Sequence, residues 1–375
     1  PVDASDAQSD SDMDGLTALE EFNLGTSPTI DDTDRDTLPD GWEVENGKNP
    51  LVANYQISLG SHHGCILDDS GVSCWGSNPD GEIDVPNLSN PSQIDVHGSH
   101  ACALDDSGVV CWGYNDSGQT NVPELINPVK VAAGFAHTCA IDGMNVVCWG
   151  NNFYGQTQVP SLSNPKQITL GEYHSCALDD SGVVCWGKND FGQVTIPSLS
   201  NPVFIDAGFE DSCAIDDNGV VCWGKNDFEG YIPELNNPVK ISVGGSHTCV
   251  WDDDGVKCWG NTSGGRTNVP SLNNPANLAL GWSFSCVIDK TEVVCWGENE
   301  NGQRDNIPDL NIDPDGDGYE NLDDALPLDA TEHLDTDSDG IGDNSDNDTD
   351  GDGVGNASDM FPVDSTETVD TDNDG

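Results

Sequence analysis

Short apolar runs recur along most of the chain, each broken by a polar turn and followed by a Trp-Gly pair. The segment "CALDDSGVVCWG", residues 102 to 113, shows the unit: two apolar, β-branched arms flank Asp-Asp-Ser-Gly. Arms of this length around a turn signal predict a β-hairpin. The stretch before each hairpin, such as "VKVAAG" or "KQITL", predicts a further short strand, and Asn-Pro pairs punctuate the connections. No part of the repeat has helical periodicity. Each copy is therefore expected to form a sheet of three or four strands. One such sheet cannot bury its own faces, but several packed in a ring can, leaving only short protected edges.

The period is fixed by cysteine. The first cysteines of successive copies are Cys65, Cys102, Cys139, Cys176, Cys213, Cys249 and Cys286, at steps of 37 residues, once 36. Each has a partner nine residues on: Cys74, Cys111, Cys148, Cys185, Cys222, Cys258 and Cys295. If Asp106 and Ser107 form a two-residue turn, Cys102 and Cys111 lie opposite each other on one face, and a disulfide would staple the hairpin. A bulge at Gly108 would shift that register. The alternatives are seven reduced, buried pairs or zinc, although two cysteines eight residues apart on a hairpin are poor zinc ligands. Paired cysteines throughout predict an oxidising, extracytoplasmic compartment.

A period near 40 with a tryptophan signature suits propeller blades. "GFAHTCAIDGMNVVCWGNNFYGQT" resembles a repeat of the regulator-of-chromosome-condensation family, with its histidine, Trp-Gly and Gly-Gln phrases. The resemblance covers about 260 residues and implies an all-β fold, a seven-bladed β-propeller. The short blade is most similar to bacterial members, including the propeller-type β-lactamase inhibitor protein. The cysteines depart from the usual pattern. The Gly-Gln phrase is intact at Gln119, Gln156, Gln193 and Gln303, but reads Glu82 in the first copy and Arg266 in the sixth. Exchange-factor activity, which belongs to particular members and loops, does not carry over.

Charge divides the 375 residues into three regions. Residues 1–48 hold 14 acids and two bases, and 312–375 hold 22 acids and no Lys or Arg. The repeat, 49–311, holds the remaining 32 acids and nine bases. A formal charge of −57 repels nucleic acid and anionic membranes and attracts cations. No apolar run reaches the roughly 20 residues of a membrane helix. A start at Pro1 and a stop within "DTDNDG" read as a segment of a longer protein.

The flanks write carboxylates at alternating positions, the spacing of a calcium loop. The first loop offers Asp10, Asp12, Asp14 and Glu21, with Gly15 at the turn, and the second offers Asp32, Asp34, Asp36, Asp40 and Glu43. The C-terminal run offers three more: Asp313, Asp315, Asp317, Asn321 and Asp324; Asp335, Asp337, Asp339, Asp343 and Asp346; and Asp348, Asp350, Asp352, Asn356 and Asp359. "DTDSDGIGDNSDNDTDGDGVGNASDMFP" resembles thrombospondin type 3 calcium repeats, which implies segments with little core held together by Ca2+. Composition alone would fit a disordered acidic linker.

Histidine stands two residues before the first cysteine at His63, His100, His137, His174 and His247, with Asp211 and Phe284 in the other copies. These could ring a metal, or repeat one hydrogen bond inside every blade. No copy has its own acid, base and nucleophile, and no phosphate loop occurs, so no catalytic residue is assigned and an enzyme is not expected. Variation between copies concentrates in aromatics: Phe135, Phe153, Tyr154, Tyr173, Phe191, Phe209, Phe228, Tyr231, Trp282 and Phe284. Gathered on one rim, they would form a recognition surface for protein or glycan. The sequence thus reads as a secreted or surface-anchored prokaryotic protein for recognition or adhesion. The alternatives are a self-associating subunit of a surface layer or filament and, behind it, an enzyme acting on extracellular polymers.

Overall fold

The computed structural model describes residues 9–45 except 13, 25, 29–32 and 34–38, then residue 50, and 55–310 except 69, 226–231, 274 and 290–291. Beyond these it describes 319, 324–326, 329–337, 341–363 and 365–366. Two compact units result, Pro1–Leu310 and Asn311–Gly375.

Seven antiparallel sheets of three consecutive strands make a seven-bladed β-propeller. The first blade runs Gln56–Leu59, His63–Asp68 and Gly71–Gly76. The seventh runs Pro275–Leu280, Phe284–Asp289 and Glu292–Gly297. The first strand of each blade is innermost and meets the first strands of its neighbours around a central channel. The middle strand is the most buried, and the third, ending in Trp-Gly, is half-buried. Two-residue turns join the second and third strands, so Cys102 pairs directly with Cys111 and Asp105 with Gly108. Gly108 has a φ of 112°, which favours glycine at the end of the turn, but the register is not shifted. All seven hairpins carry their disulfide, Cys65–Cys74, Cys102–Cys111, Cys139–Cys148, Cys176–Cys185, Cys213–Cys222, Cys249–Cys258 and Cys286–Cys295.

The core lies between blades rather than within them. Cys65 and Leu67 of the first blade pack with Ile94, Val96, Ala101, Ala103 and Trp112 of the second, and the pattern recurs around the ring. Polar side chains complete each seam. The Gln93 amide donates to the Val131 carbonyl (2.9 Å) and accepts from the Val131 amide (3.0 Å), doing for two inner strands what a backbone ladder would do. Gln167 repeats this with Ile205, and Gln56 donates to the Ser92 carbonyl while accepting from the Ile94 amide. One rung along, Asp95 accepts from Ala133 N and Asp206 from Val243 N (2.6 and 2.8 Å).

Two further bonds explain the repeated words. Among the described residues, six of the repeat tryptophans donate from Nε1 to the carbonyl of the preceding blade's Gly-Gln position, as Trp149 does to Gln119 (2.8 Å). Histidine reaches forward: His100 Nε2 meets Thr138 Oγ1, and His137, His174 and His247 meet Ser175, Ser212 and Ser285. The repeated hydrogen bond is therefore between blades, not inside one. Trp75 Nε1 donates to the Gln303 carbonyl (3.0 Å) and Asn277 Nδ2 to the Tyr55 carbonyl, so the same chemistry closes the ring.

Candidate functional site

Strand direction sorts the loops onto two faces. The corner between first and second strands and the loop after Trp-Gly share one face, and the hairpin turns occupy the other. The first of these faces gathers the aromatics. Phe135, Phe209 and Trp282, from the third, fifth and seventh blades, meet at the channel mouth with ring centroids 5.7 and 4.4 Å apart. The series continues outward from Phe135 to Tyr173 (6.1 Å), Tyr154 (5.2 Å) and Phe153 (4.9 Å). His62 stacks beside Trp282 at the other end. Phe153 is 81% exposed, and Tyr154, Phe191 and Trp282 between 40 and 44%. Phe284 is instead fully buried in the core, and Phe228 and Tyr231 lie outside the described residues.

Charge is placed among these rings. Lys188 Nζ lies 5.6–5.7 Å from the centroids of Tyr154, Tyr173 and Phe191 and pairs with Glu210 (3.1 Å) and Glu172 (3.9 Å). Lys225 pairs with Glu210 at 2.9 Å. Burial pushes the Glu172 carboxyl up, and Lys188 opposes this. No local pattern in the sequence marked Glu172, Lys188, Glu210 or His62, because their association depends on the ring placing adjacent blades side by side.

Beneath the aromatics the channel holds a cavity of about 220 Å³ lined by Asp95, Asp206, His97, Ser58 and Thr169 among others. Burial pushes Asp95 up to about 7 and Asp206 up to about 6. The repeat histidines are driven down to about 3 by burial and are neutral, with Nε2 engaged by hydroxyls in four of the five.

Among the described residues, two carboxylate triplets bring ligand oxygens within 4.8 Å of one another: Asp10, Asp12 and Asp14, and Asp348, Asp350 and Asp352. Glu21, 0% exposed, lies in the first turn of the short helix Ala18–Leu24, close enough to feel the charges of Asp12 and Asp14, and neither of its oxygens has a hydrogen-bond partner. Both Asp12 oxygens and Asp14 Oδ2 are likewise buried and unpartnered. Burial, then the neighbouring Asp12 and Asp14, pushes Glu21 up to about 7. At the second triplet, Asp348 Oδ1, Asp350 Oδ2 and Asp359 Oδ2 are in the same condition. Buried, orphaned carboxylate oxygens fit a hard cation with oxygen ligands.

The ninth loop position has another use. Asp40 takes hydrogen bonds from Thr33 N and Oγ1 (2.8 and 2.6 Å), Asp343 from Thr336 N and Oγ1 (2.8 Å each), and Asn356 pairs with Thr349. These side chains brace their loops through the threonine of the Asp-Thr-Asp wording, a signal present in the sequence and overlooked. Glu43 is buried, Asp324 nearly so, and the Asp346 carboxylate accepts from Asp348 N. Asp335 and Asp337 are partly buried. Asp32, Asp34, Asp36, Asp313, Asp315, Asp317, Asn321 and Asp339 lie outside the described residues.

The regulator of chromosome condensation (RCC1) repeat matches at residues 55–82, 94–119, 129–156 and 166–193. Four copies of the repeat, within residues 55–193, therefore match the RCC1 repeat. No curated protein matches the chain. Among solved structures, it is similar to the entire ectodomain of the Physcomitrella patens receptor kinase CR4, at 25% identity and a TM-score of 0.58, over 65% of this chain and 73% of that one. The CRINKLY WD40 ectodomain of the Arabidopsis thaliana receptor kinase ACR4 matches at 24% identity and TM-score 0.56, over 64% of this chain and 96% of its own. Prp20p of Saccharomyces cerevisiae, described with its binding to Gsp1p and histones, matches at 20% and 0.53, over 64% and 82%. The last two likenesses concern the fold alone. RCC1-type repeats thus account for the wording of the matched copies, and the same three-stranded blade is built in all seven. No helix among the described residues is long and apolar enough to cross a membrane.

Proposed function

We propose that this is an extracellular recognition protein whose propeller head binds a ligand through its aromatic face, with both flanks as calcium-braced spacers. The observation that carries the reading is the unbroken run of rings from Trp282 to Phe153 on one face. Exposed Trp, Tyr and Phe gathered this way are the usual anchors of binding surfaces. Seven disulfides support an extracytoplasmic setting, and the likeness to a receptor-kinase ectodomain agrees with it.

In the flanks, Asp10, Asp12, Asp14 and Glu21 would hold one calcium ion, and Asp348, Asp350, Asp352 and Asp359 another. The ion would supply the positive charge that lets these carboxylates share a small volume. The reading is tested by screening the full chain, with calcium, against extracellular proteins and glycans, and repeating each positive with Trp282→Ala. A saturable ligand that binds about tenfold more weakly to the variant supports it. Ligands indifferent to Trp282 and Phe153 alike would place recognition elsewhere. Self-association on adding calcium, without any ligand, would favour the surface-layer alternative.

A further inference from the structure

Resting on that reading, we infer that the aromatic face binds an uncharged carbohydrate chain laid across it. Trp282 and Phe153 are the exposed stacking platforms at the two ends, and the Glu172–Lys188–Glu210–Lys225 group hydrogen-bonds the sugar hydroxyls.

Shape argues for an extended ligand. The three rings from alternate blades cap the channel, and the pocket between Phe209, Trp282 and His97 has a volume of only about 10 Å³, room for one water at most. No ligand side chain or head group inserts there. What the face offers instead is length, a contiguous series of rings crossing several blades.

Charge argues for an uncharged one. Acids outnumber bases 68 to 11 in the whole chain, but here two lysines answer two glutamates. A polyanion would meet the field of a −57 chain. A cation would have to displace Lys188, which already occupies the ring faces and both carboxylates.

Solvation argues for a glycan over a protein. The four charged side chains stand among the rings, with 12–36% of their surfaces exposed. A protein pressed over them would strip their remaining water, a cost that half-formed ion pairs do not return. Hydroxyls donate and accept, so a sugar replaces that water bond for bond while its C–H faces cover the rings. Lys188 also holds Tyr154, Tyr173 and Phe191 in place before binding, which lowers the ordering cost.

The experiment uses the full chain with calcium on an array of neutral and charged glycans, followed by affinity electrophoresis in soluble neutral polysaccharides. Trp282→Ala and Phe153→Ala are compared with wild type, and Met144→Ala, exposed on the opposite face, serves as control. Phe153 is so exposed that its removal leaves folding untouched. The expected result is retardation by at least one neutral polysaccharide, reduced about tenfold by either rim variant, unchanged by Met144→Ala, and insensitive to salt. Binding to charged glycans only, to no glycan, or with wild-type strength in both rim variants overturns the inference. A protein ligand lost with Trp282→Ala, in the absence of glycan binding, overturns it while leaving the recognition reading intact.

Discussion

His63 Nε2 is buried without a hydrogen-bond partner, while the corresponding atoms of His100, His137, His174 and His247 each meet a hydroxyl. The cause is one blade away. The hydroxyl position, filled by Thr138, Ser175, Ser212 and Ser285 elsewhere, is Ala101 in the second blade. Ala101→Ser should restore the bond and let the new hydroxyl donate to the Glu82 carbonyl, as Thr138 does to that of Gln119. Urea denaturation should show a gain of about 0.5–1.5 kcal/mol; a loss would mean that the site has no room for an oxygen. Asp95 gives a pH-dependent counterpart. Its carboxyl rises from 3.8 to about 7 on folding, because burial disfavours the charged form. The folded state therefore binds this proton more tightly than the unfolded chain, and stability falls as pH rises from about 4 to about 7. Asp95→Asn keeps an acceptor for Ala133 N and abolishes the charge. It should raise stability by about 1–2 kcal/mol near pH 8, less than the full shift would give because the group faces the lumen, and change little near pH 4.

At the scale of the element, the hairpin is the unit in which the sequence speaks most clearly. Two-residue turns, positive-φ glycines and apolar arms act within a dozen residues, so Cys102 opposite Cys111 could be derived from local rules. Closing so short a loop is worth about 2.5–3 kcal/mol in the chain-entropy model. Replacing Cys102 and Cys111 together by alanine should lower stability by about that amount and leave the other six staples formed, as thiol counting and denaturant titration would show. An unchanged midpoint would show that the blades are held by their neighbours alone. The histidine bond was harder to read for a reason inherent in repeats. A partner one period ahead wears the same wording as a partner in the same blade, so His100–Thr138 looks like an internal contact until the ring is built. The aromatic face was half legible. The rings could be named, but which ones face out depends on their place in the blade. Phe284 sits at the histidine position and is core, whereas Trp282, two residues earlier, is 40% exposed.

At the scale of the molecule, the propeller and the carboxylate loops rest on different forces. The propeller has interblade apolar clusters and seven covalent staples. The loops hold buried carboxylates that repel one another unless a cation lies between them. Limited proteolysis with a chelator should therefore cut within 1–48 and 312–375 and spare 55–310, and calcium should restore protection. Equal protection with and without chelator would sink the calcium proposal. Asp12→Asn with Glu21→Gln, or Asp350→Asn with Asp359→Asn, should remove protection from one flank at a time.

Among the described residues every sheet is made of three consecutive strands, and none of these strands is lent by one end of the propeller to complete the other. The first and seventh blades are joined by the Trp75–Gln303 and Asn277–Tyr55 bonds and by packing, as any other two neighbours are. The chain also enters and leaves the ring at this one junction, near Tyr55 and Leu310. Tension transmitted along the polypeptide would bypass the other six junctions and fall on this one. The staples, each confined to a hairpin, would bear none of it. Under load the ring would unlatch as a clasp does, at a fixed place and with every blade still folded.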